Sequence, residues 1–385
     1  MGLKDLFKKS TVNCPYCYTE TSLDDCVYRC AGIPAPGMPA CEPQPDEVRE
    51  RFSDPRRYLP FSVPKNKNGK KATCSYCGGP CFTRLFSCCH SPVPANFSAD
   101  STLMGLVGAR AAGKTVLLTV LNTEFSNTVG PRFRASIANI SDNMNMTDEL
   151  SQWREQMNQG GGLPGSTNRG KKIPYIYEWR YLDRSKSAIF SFYDTAGESL
   201  ASVADARDMQ YLAATDSLVL LLNPFAFPAV QHKARERGIG DIELVNPEQI
   251  LINLTQVLQA HERTGKNKKI KKPLAIAVAK MDAFAEEISP NSPLLQESSK
   301  EPFLSQEESL RVHNEVGAKI VEWGGGAFLD HLEAYYDNYR LFSLSALGNE
   351  PDYATATASQ LGVTPIRVAE PFLWLMSLTR FVPTK

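Results

Sequence analysis

Beyond Cys89 this 385-residue chain contains no cysteine, it carries no net charge, and no apolar run approaches the roughly 20 residues needed to cross a bilayer. Each deficit excludes something. The 42 Lys and Arg are balanced by 42 Asp and Glu, so no global field draws the chain to nucleic acid or to an anionic membrane, and such a partner would need a local patch. The opening Met1-Gly2-Leu3-Lys4-Asp5-Leu6-Phe7-Lys8-Lys9 lacks the apolar core of a signal peptide, and Leu6 stands where a myristoylation motif needs Ser or Thr. A cytoplasmic location with no membrane span is expected. The length leaves room for more than one unit.

What is present is unevenly placed. All ten cysteines fall between Cys14 and Cys89, which marks residues 10–92 as a separate module. In a reducing compartment, closely spaced thiols read as zinc ligands rather than disulfides. Two C-x-x-C knuckles, Cys14-Pro15-Tyr16-Cys17 and Cys74-Ser75-Tyr76-Cys77, each offer two thiolates to a tetrahedral ion, so the count suits two zinc ions. The simplest assignment gives Cys14, Cys17, Cys30 and Cys41 to one ion and Cys74, Cys77, Cys89 and His90 to the other. A crossed arrangement of the same eight residues is open, and Cys26, Cys81 or Cys88 can replace a chosen ligand. The metal's role is structural, since so small a module holds few apolar residues.

From 99 to 385 the pattern is that of an α/β domain. Leu103 to Val107, Leu218 to Leu222 and Leu274 to Ala279 are continuous apolar runs, which suit strands of a parallel sheet covered on both faces. Tyr175 to Tyr181 and Ala188 to Phe192, joined by Asp183 to Lys186, read as an antiparallel hairpin at the sheet edge. These runs make an α/β fold, a mostly parallel sheet with one antiparallel edge hairpin and flanking helices, preceded by the small zinc module; Gly108 to Thr115, set between an apolar strand and a helix, makes it a P-loop NTPase. Two insertions, near 122–172 and 283–312, interrupt it. The first contains a helix near Asp148 to Met157, and both are expected to be partly mobile. The basic run Arg263 to Lys272 is read as a solvated loop, so nucleic acid is not indicated.

The phosphate-binding signal is Gly108-Ala109-Arg110-Ala111-Ala112-Gly113-Lys114-Thr115, which leaves one apolar strand and enters a helix at Val116. Backbone N–H groups of such a loop turn toward phosphate oxygens, Lys114 reaches the β and γ phosphates, and the Thr115 hydroxyl ligates Mg²⁺. Arg110 either folds over the γ-phosphate or points outward; crowding favours the outward course. Farther on, Asp194-Thr195-Ala196-Gly197-Glu198 closes a strand. There Asp194 holds Mg²⁺ through water and Gly197 offers its N–H to the γ-phosphate. Lys280-Met281-Asp282 follows the Ala275 to Ala279 strand, and a carboxylate at that place accepts from guanine N1–H and the N2 amine, with the Lys280 stem across the base. A backbone N–H near Ala346, within Ser345-Ala346-Leu347, contacts guanine O6.

With these elements in this order the chain resembles TRAFAC-class GTPases, and more closely the bacterial double-GTPase family, which pairs a Cys-rich N-terminal module with such a domain. The resemblance is carried by Cys14 to Cys17, Tyr28-Arg29-Cys30, Cys41-Glu42-Pro43, Cys89-His90, residues 108–115, Tyr193 to Glu198 and Pro371-Phe372-Leu373-Trp374-Leu375. It implies binding of GTP and GDP, Mg²⁺, slow hydrolysis, switching, and protein partners, either GTPase-activating or a second GTPase subunit, in bacterial conflict systems such as antiviral defence. Three departures stand out. Ala279 replaces the Asn or Thr that would contact the base or brace the phosphate loop. Glu198 stands where Gln orients the attacking water. Phe86 occupies the first position of what would be a C-x-x-C-H knuckle. For switch I, Thr167 in the Gly-rich approach is preferred over Thr147 as the residue that meets Mg²⁺ and the γ-phosphate. Two other functions remain open: an adaptor that binds GTP with negligible hydrolysis, and a zinc-ribbon ATPase acting on nucleic acid.

Overall fold

The computed structural model describes all residues except 1–10, 53, 65–70, 99–100, 142–143, 166–173, 195–210, 240–243 and 263–267, and only the backbone of 144–147, 193–194 and 262. It divides into two compact units, Met1–Ser101 and Thr102–Lys385. Among the described residues no helix is long and apolar enough to cross a membrane.

The larger unit is built on a seven-stranded sheet. Its spatial order is Ala135–Asn139, Pro174–Tyr181, Ser187–Asp194, Thr102–Gly108, Ser217–Leu222, Leu274–Val278 and Tyr339–Ser343. From Ser187–Asp194 onward every neighbouring pair is parallel. Because helices and loops cover both faces, these strands can be apolar along their whole length, and every residue of Ser217–Leu222 and Leu274–Val278 is buried. The hairpin expected from sequence pairs in register from Pro174 opposite Tyr193 to Arg180 opposite Ser187. It is not outermost: Ala135–Asn139, drawn from the first insertion, adds a third antiparallel strand at that edge. Its alternating burial, inward at Ala135 and Ile137, explains why a strand of five residues suffices there. The same insertion supplies the helix Met144–Asn158.

Rings from both sides of the chain knit this edge to the core. Phe125 packs on Tyr177 with centroids 5.2 Å apart, and Phe192 meets Phe372 at 4.6 Å. Phe372 belongs to the helix Glu370–Leu378, whose residues are buried from Glu370 through Ser377.

The second insertion departs from expectation, because it is tied down. Leu294 and Leu304 are buried, and the Ser343 hydroxyl donates to the Leu294 carbonyl at 3.0 Å. Arg367 is the main anchor. Its guanidinium donates to Glu308 at 2.6 Å, to Glu370 at 2.5 Å and to the Pro293 carbonyl at 2.7 Å. The segment expected to be partly mobile instead supplies Glu308 and the Pro293 carbonyl to one buried cation, whose side chain is 1 % exposed. Deleting one member of a buried ion group leaves uncompensated charge at a cost of about 3–5 kcal/mol. Arg367→Ala is therefore expected to lower the unfolding free energy by about that much in urea denaturation; a loss of a few tenths would show that the triad does not hold the insertion.

Candidate functional site

The central strand Thr102–Gly108 delivers the chain into the phosphate loop at a point of very close approach. A Cβ on Gly108 would sit 2.6 Å from the Leu221 carbonyl oxygen, so no side chain fits where the loop begins. Ala111 (φ 59°) and Gly113 (φ 90°) then take left-handed backbone, and the Ala112 N–H donates back to the Ala109 carbonyl at 3.2 Å. Those turns start the helix Lys114–Glu124, which has no side-chain cap at Gly113; a helix N-terminus of this kind favours an anion. Lys114 is buried, and its Nζ donates to the carbonyls of Gly108 at 2.7 Å and Ala109 at 3.2 Å, which stretches the ammonium across the loop. Ala109 and Ala112 are buried, Thr115 and Val116 half-buried, and Arg110 exposed.

Asp194 ends the strand beside this loop, its backbone paired with Leu106 of the central strand. Thr167, Gly197 and Glu198 lie outside the described residues.

Two strands along the sheet from the loop, the Leu274–Val278 strand passes through Ala279 to Lys280, whose left-handed backbone (φ 54°) turns the chain into the helical stretch Met281–Glu287. Asp282 is buried there. One carboxylate oxygen accepts from the Ser345 hydroxyl, which itself accepts the Gly348 N–H at 2.7 Å, so its proton is directed at Asp282. The other oxygen, Oδ2, has no hydrogen-bond partner. A buried acceptor left unpaired costs about 1–3 kcal/mol, which a donor edge such as guanine N1–H and N2 would relieve; the residues present thus fit that base. Burial pushes the Asp282 carboxyl up to about 6, with the Ser345 hydrogen bond pulling the other way. Burial also lowers Lys280, to about 8, and its Nζ lies 5.3 Å from the Tyr353 ring centroid and 5.9 Å from that of Phe225. Ser345 contributes a side chain where sequence reasoning looked for backbone. Ala346 is half-buried beside it, and the Leu347 side chain joins the core.

Sequence reasoning missed Asn223, Phe225 and Tyr353. Asn223 follows directly on the Ser217–Leu222 strand, where its polarity reads only as the end of an apolar run; that the amide is buried, to 4 % exposure, emerges with the fold.

The smaller unit gathers its thiols into two groups, each with all Sγ atoms within 4.8 Å of one another: Cys14, Cys17, Cys88 and Cys89, and Cys30, Cys41, Cys74 and Cys77. Sulfur pairs stand 3.5–3.6 Å apart, close to the ~3.8 Å edge of a tetrahedron with bonds of about 2.3 Å, so each set fits a zinc ion. The expected sets therefore need correction: Cys30 and Cys41 close the second knuckle, not the first, and Cys88 stands in for His90. Strand pairing explains the crossing. Val27–Cys30 lies antiparallel to Pro80–Leu85, with Cys30 opposite Cys81, which carries Cys30 to the Cys74–Cys77 turn. His90 is excluded by the backbone. Three turns repeat one geometry, with the N–H of Tyr18, Gly78 and His90 donating to the carbonyl of Cys14, Cys74 and Phe86, and all three donors in left-handed conformation. His90 thus occupies the place after a knuckle rather than a ligand position, and its Nδ1 meets both oxygens of Asp46 at 2.9 Å. Cys26 and Cys81 are buried outside both groups.

With this geometry in hand, comparison with known proteins finds that the pattern of the Double-GTPase 2 family matches residues 102–321. Solved structures similar to the chain include the signal recognition particle receptor SRb-GTP/SRX complex from Chaetomium thermophilum, at 15% identity over 65% of this chain and 93% of that one, TM-score 0.30. The Ski7 GTPase-like domain of S. cerevisiae bound to GTP is 14% identical over 66% of this chain and 46% of its own, TM-score 0.33. The Arl6 BBS3 small GTPase from Trypanosoma brucei with GppNp is 9% identical over 73% and 98%, TM-score 0.30. No curated protein matches the chain.

Two outcomes follow from the site. Metal analysis of purified protein should find two zinc ions per chain, reduced to one by Cys88→Ser and left at two by His90→Ala; the reverse pattern would restore the ligand set expected from sequence. For the base pocket, Asp282 must be ionised to accept two donors, and its carboxyl titrates at about 6 in the free protein. Guanosine, which has no phosphate to titrate, should therefore bind with full affinity near pH 7, where Asp282 is ionised and Lys280 charged, and lose affinity as pH falls through 6, approaching tenfold per unit below it. Asp282→Asn should abolish that slope, and an unchanged slope would place the titrating group elsewhere.

Proposed function

The chain belongs to the Double-GTPase 2 family, and from that premise we propose that it is a GTP-binding and GTP-hydrolysing molecular switch that turns over slowly until a protein partner engages it. The observation that carries the base assignment is the buried, half-satisfied carboxylate of Asp282, held by Ser345 at the strand end beyond the phosphate loop. Adenine presents no paired N1–H and amine donors in that form, so the missing interaction favours GTP over ATP by one to two decades.

In this reading the loop from Gly108 to Thr115 and the N–H of Val116 cradle the phosphates, and Lys114 swings its ammonium from the loop carbonyls onto the β and γ oxygens. Thr115, Thr167 and Asp194 would hold Mg²⁺, which when bound would supply positive charge against the β and γ phosphates. Water attacks the γ-phosphorus, the bond to the β–γ bridging oxygen breaks, and GDP and inorganic phosphate leave. Glu198 accepts from the attacking water, and Thr167 with Gly197 registers whether the third phosphate is present. Lys280 lies across the base, with the Ala346 N–H at O6. The zinc-stabilised module docks the partner, an activating protein or a second GTPase subunit of a bacterial system, for which antiviral defence is the proposed setting.

One observation favours a second reading. A carboxylate at Glu198 adds negative charge beside a polyanion, which suits an adaptor that holds GTP with negligible hydrolysis. Single-turnover assays with excess protein separate the two. The switch reading expects GDP to form in the wild type and not in Lys114→Ala; intact GTP after many hours, with and without a partner, would leave the adaptor. In competition against labelled GTP, ATP should displace it only at concentrations ten- to a hundredfold higher than GTP, and equal displacement would sink the guanine assignment.

A further inference from the structure

Ala279 removes the amide that, one residue before the Lys-x-Asp element, would touch the base, and the fold places another amide directly beside the gap. Asn223 follows the Ser217–Leu222 strand and continues its extended backbone (φ −89°, ψ 113°). Alternate residues of a strand share a face. Val219 and Leu221 lie in the same core layer as Ala275, Ala277 and Ala279, together with Ala112 and Leu117 of the phosphate loop and its helix. Position 223 continues the first series as Ala279 continues the second. The two strands are in register, Leu222 opposite Val278, and the Ala279 N–H donates to the Leu222 carbonyl at 3.0 Å. On its other side the same strand sets Leu221 opposite Gly108, where the phosphate loop begins. Asn223 therefore stands at the strand ends between the phosphate loop and the vacated position.

Its amide is oriented and incomplete. Oδ1 accepts the Phe225 N–H at 3.3 Å, which identifies the oxygen end and turns Nδ2 away from its own turn. Nδ2 is buried and has no partner. The carbonyls of Gly108 and Ala109 that open the loop already receive the Lys114 ammonium. A buried donor in this position wants an acceptor from the ligand. With the Watson–Crick edge of guanine committed to Asp282 and O6 to the Ala346 N–H in the reading above, the acceptor left on the remaining edge of the base is N7.

We propose that Asn223 replaces, from the neighbouring strand, the amide missing at position 279, its Nδ2 donating to N7 of the bound purine. The inference rests on the guanine-nucleotide reading above. Guanine and adenine share N7, so Asn223 contributes affinity without selectivity, whereas Asp282 contributes selectivity.

The test measures dissociation constants of the full chain for GTP, ATP and 7-deaza-GTP, in which N7 is a C–H. Wild type should bind 7-deaza-GTP about 3- to 10-fold more weakly than GTP, the loss of one hydrogen bond. That comparison needs no variant. Asn223→Asp keeps an oxygen for the Phe225 N–H and removes the donor. Asn223→Ala should bind GTP and 7-deaza-GTP equally, and Asn223→Asp, which sets an acceptor against N7, should bind the analogue at least as well as GTP; both should bind GTP more weakly than wild type does, with the GTP-to-ATP ratio unchanged. Equal wild-type affinities for GTP and its 7-deaza analogue would overturn the proposal, as would variants that still discriminate by the wild-type factor. Should Asp282→Asn leave the GTP-to-ATP ratio untouched, the base-site reading itself fails, a result distinct from failure at Asn223.

Discussion

Everything the larger unit can do depends on three parallel strands ending together. Gly108, Leu221 and the residues after Val278 come level because Leu221 pairs with Gly108 and Leu222 with Val278, and the first pairing is so close that only glycine fits. A slip of one residue would turn every apolar side chain in Ser217–Leu222 to the opposite face and would carry the phosphate loop out of line with Asp282. The central strand also lies where the chain changes direction across the sheet, with Ser187–Asp194 on one side and Ser217–Leu222 on the other. Crevices at the carboxyl ends of strands at such switch points are where α/β sheets bind ligands, and here the loop, the backbone of Asp194 and the stretch that carries Asp282 all follow such strand ends.

Along that edge the protein buries polar groups in an incompletely satisfied state. Asp282 keeps one oxygen unpaired and Asn223 one amide nitrogen. Unpaired groups of this kind oppose folding, so they persist where another requirement outweighs the cost. Their surroundings fix their directions before any ligand arrives: Gly348 orients the Ser345 hydroxyl, Ser345 fixes one oxygen of Asp282, and the Phe225 N–H fixes Asn223. Pre-set donors and acceptors lose little freedom on binding, so more of each hydrogen bond appears as affinity.

What could be read without the fold was whatever a contiguous stretch determines. The phosphate loop, the strand-end Asp194 and the Lys-x-Asp element each combine a few residues with the apolar run beside them, and the paired strands Pro174–Tyr181 and Ser187–Asp194 announce themselves by composition. What depends on distant partners was hidden. The third antiparallel strand has only two inward residues, Ala135 and Ile137. The second insertion reads as partly mobile until Arg367, far along the chain, is seen to hold its Glu308 and its Pro293 carbonyl. Asn223 could not be recognised as a stand-in for position 279, because its relation to Ala279 exists only across the sheet.

The smaller unit shows the same division between local and distant information, with His90 as the instructive case. Spacing after Cys89 suggests a ligand, yet the turn beginning at Phe86 repeats the knuckle backbone and places residue 90 one step past the metal-facing positions. The imidazole is used elsewhere. Asp46 caps the helix Glu47–Glu50 by accepting from the Val48 and Arg49 N–H groups, and its carboxylate also takes Arg29 and His90, whose hydrogen bonds hold it below the ordinary carboxylate range against the effect of burial. Arg29 and Cys30 are neighbours on one strand, and Cys89 and His90 are neighbours in one turn. Asp46 therefore clamps together two segments that each carry a thiol, one from each four-cysteine group. In a module with so few apolar residues, that shared carboxylate couples the geometry of one thiol set to the geometry of the other.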